Sequence, residues 1–223
     1  MVTPLSREID THMPQQTFHF DLDAGVDCLA FANTNEDRNV TNPVERLSSY
    51  GNLVDFSEQT GQLTVSGAND LRLMAERRPD EAQAVLERAI RFREAIYRVF
   101  AAIAADHTPE AEDLDLLNDE LRDAMSQTRL VPADKGFDWT WPASAMPMER
   151  ALWPVARSAA ELLISGELDR VRECAAHDCG WLFFDESRNR SRRWCSMQTC
   201  GNRAKVDRFR TRRKDANTPQ PVG

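Results

Sequence analysis

No stretch of this sequence is long and apolar enough to lie across a bilayer. The longest apolar run, VFAAIAA at 99–105, falls far short of the roughly 20 residues a spanning helix needs. The opening segment MVTPLSREIDTHMPQQ has no apolar signal core and reads as a flexible leader over 1–17. These absences set the expectation of a soluble cytoplasmic protein that does not engage a membrane. Also absent are a glycine-rich phosphate loop, a zinc-protease helix motif and a histidine beside a plausible nucleophile. The chain is therefore expected not to be an enzyme, with no catalytic residues and no organic cofactor site. Internal repeats, low-complexity tracts and long linkers are missing too. The carboxylates in DLDAGVD are out of register for a calcium loop and no Glu closes it.

One absence is local. Between 188 and 214 only Asp207 opposes eleven Lys or Arg, inside a chain of net charge -8. Residues 171–214 hold twelve basic and five acidic side chains, a net of +7, whereas 1–170 hold sixteen and thirty, a net of -14. A basic module is thus attached to an acidic one. Alternating salt bridges cannot account for so one-sided a segment.

What is present is enough for a core: 223 residues with 41% hydrophobic content. FHFDL at 18–22 alternates and predicts a short strand. Val44, Leu47, Tyr50, Leu53 and Val54 predict a helix over 43–60 ending at Gly61, and a second helix is expected over 67–77. The clearest helix runs from about 79 to 105, with Pro79 in its first turn. Thr108-Pro109-Glu110 predicts a cap before a helix whose Leu114, Leu117, Leu121 and Met125 face the core, while Asp113 and Asp115 read as a solvated face. Asp134-Lys135-Gly136 predicts a hairpin between 129 and 141. A helix over 147–165 is expected to kink or begin near Pro154 and to stop at Gly166.

Five cysteines without a signal peptide argue for metal binding over disulfides. Cys28 stands alone and reads as a small buried hydrophobe, with a reactive thiol as the alternative. The other four form Cys174-x4-Cys179, fifteen residues, then Cys195-x4-Cys200. Two close pairs can bring four thiolates to a tetrahedron, which suits a closed, structural Zn(II) site better than an iron one where no redox partner is evident. His177 could substitute for one thiolate. Alternation at Trp181 and Phe183 predicts a hairpin within the insert, and a helix from about Cys200 to Arg213 would pack Val206, Phe209 and the Arg213 stem on its aromatics. That shape is a treble-clef-like finger. A helix that is basic on both shoulders suits a nucleic-acid groove. The candidate contacts are Arg192, Arg193, Arg203, Lys205, Arg208, Arg210, Arg212, Arg213 and Lys214. Gly201 is read as small to allow close backbone approach, and Asn202 as a helix-start hydrogen-bond residue or a base contact.

The run Cys174-x4-Cys179-x-Trp181-x-Phe183-x-Asp185-x-Ser187, followed by Arg192-Arg193-Trp194-Cys195-Ser196-Met197 and Cys200-Gly201-Asn202-Arg203-x-Lys205, resembles the CGNR zinc finger. FDLDAGVDCLAFANT and ERLSSYGNLVDFSEQTG look like the ABATE domain that precedes this finger in bacterial proteins described as stress-induced transcription regulators. GVDCLAFANT departs from the family, which more often has Leu before the Cys and Asp two residues after it. The expected fold is mainly α with short β hairpins: a leader at 1–17, a helical ABATE-like domain at 18–166, the finger at 167–214 and a disordered tail at 215–223. The resemblance implies a DNA-binding, nucleoid-associated regulator whose N-terminal domain senses a small-molecule effector or forms a homodimer. RNA as the partner, or a zinc-stapled protein-interaction module, remain as alternatives.

Overall fold

The computed structural model describes residues 18–142 and 146–216, with side chains described up to 210. The leader expected over 1–17 and residues 217–223 of the expected tail lie outside the described residues. The core is built around α4 (Pro79–Ala104), whose Val85, Leu86, Ala89, Phe92, Ile96, Val99 and Phe100 recur every three or four residues and are all buried. Around it pack α1 (Asp27–Ala32), α2 (Tyr50–Gln59), α3 (Val65–Arg77), α5 (Ala111–Ser126) and α6 (Trp153–Ile164). Pro154 sits in the first turn of α6, after a short 3-10 turn at Met148–Ala151, so the helix begins there and is not kinked. Cys28 is completely buried in α1, and burial pushes its thiol up to about 12. It is a packing residue.

Several expectations are corrected by long-range contacts. FHFDL forms no strand, because its backbone bonds to α2 side chains: Phe18 N donates to Asp55 and Phe20 N to Gln59, both at 3.0 Å. Residues 43–49 are not helical either. Val44–Glu45 forms β2, antiparallel to β1 (Asn35–Glu36), and the helix starts only after Ser49, whose side chain accepts from Asn52 N. The energetic reason lies in Arg93, which is 2% exposed on α4 and needs a carboxylate. Glu45 supplies it in bidentate form at 2.5 and 2.7 Å.

Thr108 caps nothing; Glu110 holds the N-cap position without a side-chain bond. The buried face of α5 is Asp113, Leu117, Glu120 and Ala124, while Met125 is 42% exposed. Asp113 is not on a solvated face: it accepts from Arg98 at 2.9 and 3.0 Å, and Glu120 accepts from Arg88 at 2.5 and 2.9 Å. Two ion pairs thus set the rotation of the helix. The hairpin forms as expected, with β3 (Arg129–Ala133) paired to β4 (Gly136–Thr140).

The last pair of strands joins the two halves of the chain. β5 (Val171–Glu173) pairs antiparallel with β6 (Leu182–Phe184). Successive strand residues point to opposite faces. Leu182 accordingly enters the main core, and Phe183 enters a second cluster with Cys174, Cys179, Cys195 and Cys200. Asn33, at the end of α1, grips this strand from both sides: its amide donates to Leu182 O at 2.8 Å and accepts from Leu182 N at 2.9 Å. Phe184 N bonds Ala24 O at 2.8 Å. Replacing Asn33 by Ala leaves two buried backbone groups without partners, each costing about 1–3 kcal/mol. The expected loss is about 2–6 kcal/mol in urea unfolding, with tryptophan fluorescence and far-UV circular dichroism still reporting one shared transition.

Candidate metal centre

Two sulfurs of the second cluster come from the connection between β5 and β6, and two from the approach to α7 (Asn202–Ala216), which begins with a single π turn at Met197–Gly201. The ligand atoms of Cys174, Cys179, Cys195 and Cys200 lie within 4.8 Å of one another, and all four residues are buried. Cys179 and Cys195 sulfurs are 3.7 Å apart, and those of Cys195 and Cys200 are 3.6 Å apart. A disulfide would need about 2.05 Å. Zn–S bonds of about 2.3 Å in a tetrahedron place sulfurs roughly 3.8 Å apart. The cysteines are free of disulfides and fit a structural Zn(II) site. Cys174, Cys179, Cys195 and Cys200 would hold the ion. With four thiolates it would serve as a staple, leaving no position for an activated water. His177 is exposed and stands outside this group.

Four buried thiols packed this closely oppose one another's ionisation. Hydrogen bonds with Cys179 and Cys195 draw the Cys174 thiol down, whereas the contacts with Cys174, together with burial, push Cys179 and Cys195 up. Without a cation, the four sulfurs can share only a fraction of the charge a tetrathiolate carries. Arg203 adds a little positive charge from outside, 3.1 Å from Cys200 Sγ.

The hairpin expected inside the insert is displaced. Its two strands flank the first cysteine pair, and 185–194 form a loop. Asp185, completely buried, organises that loop: it accepts from Ser187 N and Arg192 N, each at 2.9 Å. Burial alone would raise its pKa. The Ser187 side-chain and backbone bonds, the Arg192 amide and the Arg172 charge outweigh that and hold it below the usual carboxylate range. Gly180, at φ +72°, closes the first cysteine turn against the helical half; a Cβ there would lie 3.0 Å from Asn39 Oδ1 and 3.1 Å from Arg38 Cβ. Cys179 O accepts from Arg38 N. Sequence reasoning missed Asn33 and Gly180. The only available signals were a glycine one residue after a cysteine and an asparagine within the family-like FANT run.

Among the described side chains, the predicted nucleic-acid residues are placed differently. Arg192 turns inward: its guanidinium lies 4.5 Å from the Phe183 ring centroid and donates to Trp194 O and Cys195 O. Arg203 pairs with Asp178 at 2.9 Å. Arg193, Lys205, Arg208 and Arg210 are exposed. The side chains of Arg212, Arg213 and Lys214 lie outside those described, although the α7 backbone continues to Ala216. The expected Val206–Phe209 seam does not bury, since these residues are 47% and 62% exposed. Gly201 is kept small by Met197, whose Sδ would lie 2.8 Å from an added Cβ. Asn202 donates to Gln198 O at 3.0 Å, a bond that holds the helix start.

Comparison with known families now has a geometry to meet. The model described as ABATE, "Putative stress-induced transcription regulator", matches residues 25–166, and the model described as CGNR zinc finger matches 170–213. Neither describes an enzyme family. No curated protein matches the chain. Among the described residues no helix is long and apolar enough to cross a membrane.

Native mass spectrometry is expected to show one zinc per chain, lost in Cys200→Ser and after strong chelation. Structural zinc contributes about 10–16 kcal/mol, so metal loss should unfold the segment around Trp181 and Trp194 while most of the helical signal persists. Asp185 contributes to the acid dependence. Because its folded-state pKa is depressed, its contribution is complete above the unfolded value of about 3.9 and is lost as pH falls through the folded value. Asp185→Asn should cost about 1–3 kcal/mol at neutral pH and flatten the acid limb of the stability profile.

Proposed function

We propose, for a chain that belongs to the ABATE family and carries a CGNR zinc finger, that it is a DNA-binding transcriptional regulator. In this reading the finger binds duplex DNA, and the helical part senses an effector or brings two chains together. The observation that carries the reading is a set of exposed cationic side chains mounted beside four clustered thiols that fit a structural zinc site. Arg193 leaves the loop immediately before Cys195, and Lys205 and Arg208 leave the helix that begins beside Cys200, so the same staple positions both groups. Preorganised arginines lose less conformational entropy on meeting phosphate, and their forked geometry matches phosphate oxygens and guanine edges.

The coupling to the helical half is also built in. β6 is gripped by Asn33 of the α1 end, and the turn carrying Cys179 is bonded to Arg38, whose guanidinium donates to Glu94 of α4 at 2.6 Å and lies 3.9 Å from the Tyr97 ring centroid. A change in α1 or α4 caused by an effector therefore reaches the first cysteine pair through direct contacts.

If about six phosphates are neutralised, the logarithm of affinity falls with the logarithm of salt at a slope near -5. Fluorescence anisotropy of a labelled duplex, titrated at several salt concentrations with the zinc-loaded full chain, measures it. A slope near zero removes the electrostatic basis of the proposal. Tighter binding to structured RNA than to duplex DNA transfers the function to RNA.

A further inference from the structure

The two basic shoulders of α7 face different surroundings. At 100° per residue, Arg203, Asp207 and Arg210 share one edge, and Lys205 and Arg208 share the opposite one. The first edge walls a cleft of about 810 Å³ whose other side carries Asp21, Glu36 and Asp37. A phosphodiester entering that cleft would meet three carboxylates well inside the ~8–10 Å over which salt screens charge. Arg203 is in addition committed to Asp178 and to the Cys200 sulfur.

The second edge is organised by Trp194. Both Arg193 and Arg208 bring their guanidinium groups to its ring, with centroid distances of 5.4 and 5.8 Å. Cation–π contact of this kind orients both groups without consuming their hydrogen-bond donors. Next to Arg193 is a recess of about 310 Å³ lined by four arginines, Arg172, Arg190, Arg192 and Arg193, with Glu173 as its one acid. Of these, Arg190 is tied to Asp169 and Arg192 to backbone carbonyls, whereas Arg172 and Arg193 line the recess without an ion pair closer than 4 Å among the described residues. Arg172 was not among the residues singled out from the sequence.

The geometry points to a one-sided interface: the phosphate backbone of duplex DNA runs along the Trp194 edge, touched by Arg193, Lys205 and Arg208 with Arg172 at the recess, and the Arg203–Arg210 edge stays off the nucleic acid. This assignment rests on the DNA-binding reading above and decides which shoulder performs it. Arg192 and Arg203 are frame residues that brace the metal site.

The test uses the zinc-loaded full chain and a labelled mixed-sequence duplex between about 50 and 200 mM salt. Arg193→Ala and Arg208→Ala should each weaken binding and flatten the salt slope by about 0.9, and the double variant by about 1.8. Arg210→Ala and Asp37→Asn should leave the slope within about 0.3 of the unsubstituted protein, a margin set below one counterion. None of the four residues is among the cysteine ligands, and zinc content is checked for each variant. Equal flattening by Arg210→Ala and Arg208→Ala, or clearly tighter binding by Asp37→Asn, overturns the one-sided interface while leaving DNA binding intact. Absence of salt-dependent binding in the unsubstituted protein overturns the DNA-binding reading itself, and the interface with it.

Discussion

Four buried thiols within 4.8 Å of each other cannot be assembled on packing alone. Thiols are weak hydrogen-bond partners, and four thiolates in one desolvated cluster repel. A dication reverses the sign of that interaction and joins segments that share few other contacts. One pair of sulfurs belongs to the β5–β6 turn and the other to the start of α7, so the ion, together with the Arg203–Asp178 pair, ties the basic helix to that turn. Val206 and Phe209 stay 47% and 62% exposed on that helix.

The effect of that staple extends beyond the finger because β6 is a wall between two clusters. Leu182 faces the helical core and Phe183 faces the cysteines, a direct consequence of strand alternation. A small metal module normally has to supply its own interior. Here it borrows one side of its interior from α1 and α4, and Asn33 secures the loan by satisfying both backbone groups of Leu182. The acidic and basic halves of the chain are therefore structurally continuous although their charges oppose.

Opposed charge has a local expression in the cleft beside α7. Asp21, Glu36 and Asp37 stand across from Arg203 and Arg210, so part of the +7 of the basic segment is turned toward the protein's own carboxylates. The Trp194 edge is turned away from them. Counting charges along the chain shows that a basic module exists; only the packing of the β1–β2 region against the finger distinguishes its two shoulders.

Sequence alone determined the features that depend on neighbours a few residues away: the 3.6-residue stripe of α4, the turn of the 129–140 hairpin, and the cysteine spacing that implies metal. Tertiary structure decided everything that required a distant partner. FHFDL became an extended arm because Asp55 and Gln59 accept its amides. Residues 44–45 became a strand because buried Arg93 takes Glu45. α5 turned its carboxylates inward because Arg88 and Arg98 meet them. The same reason governs the site, where local spacing names the four ligands but the orientation of each arginine follows from which charge or ring lies opposite it, and that is a property of the folded chain.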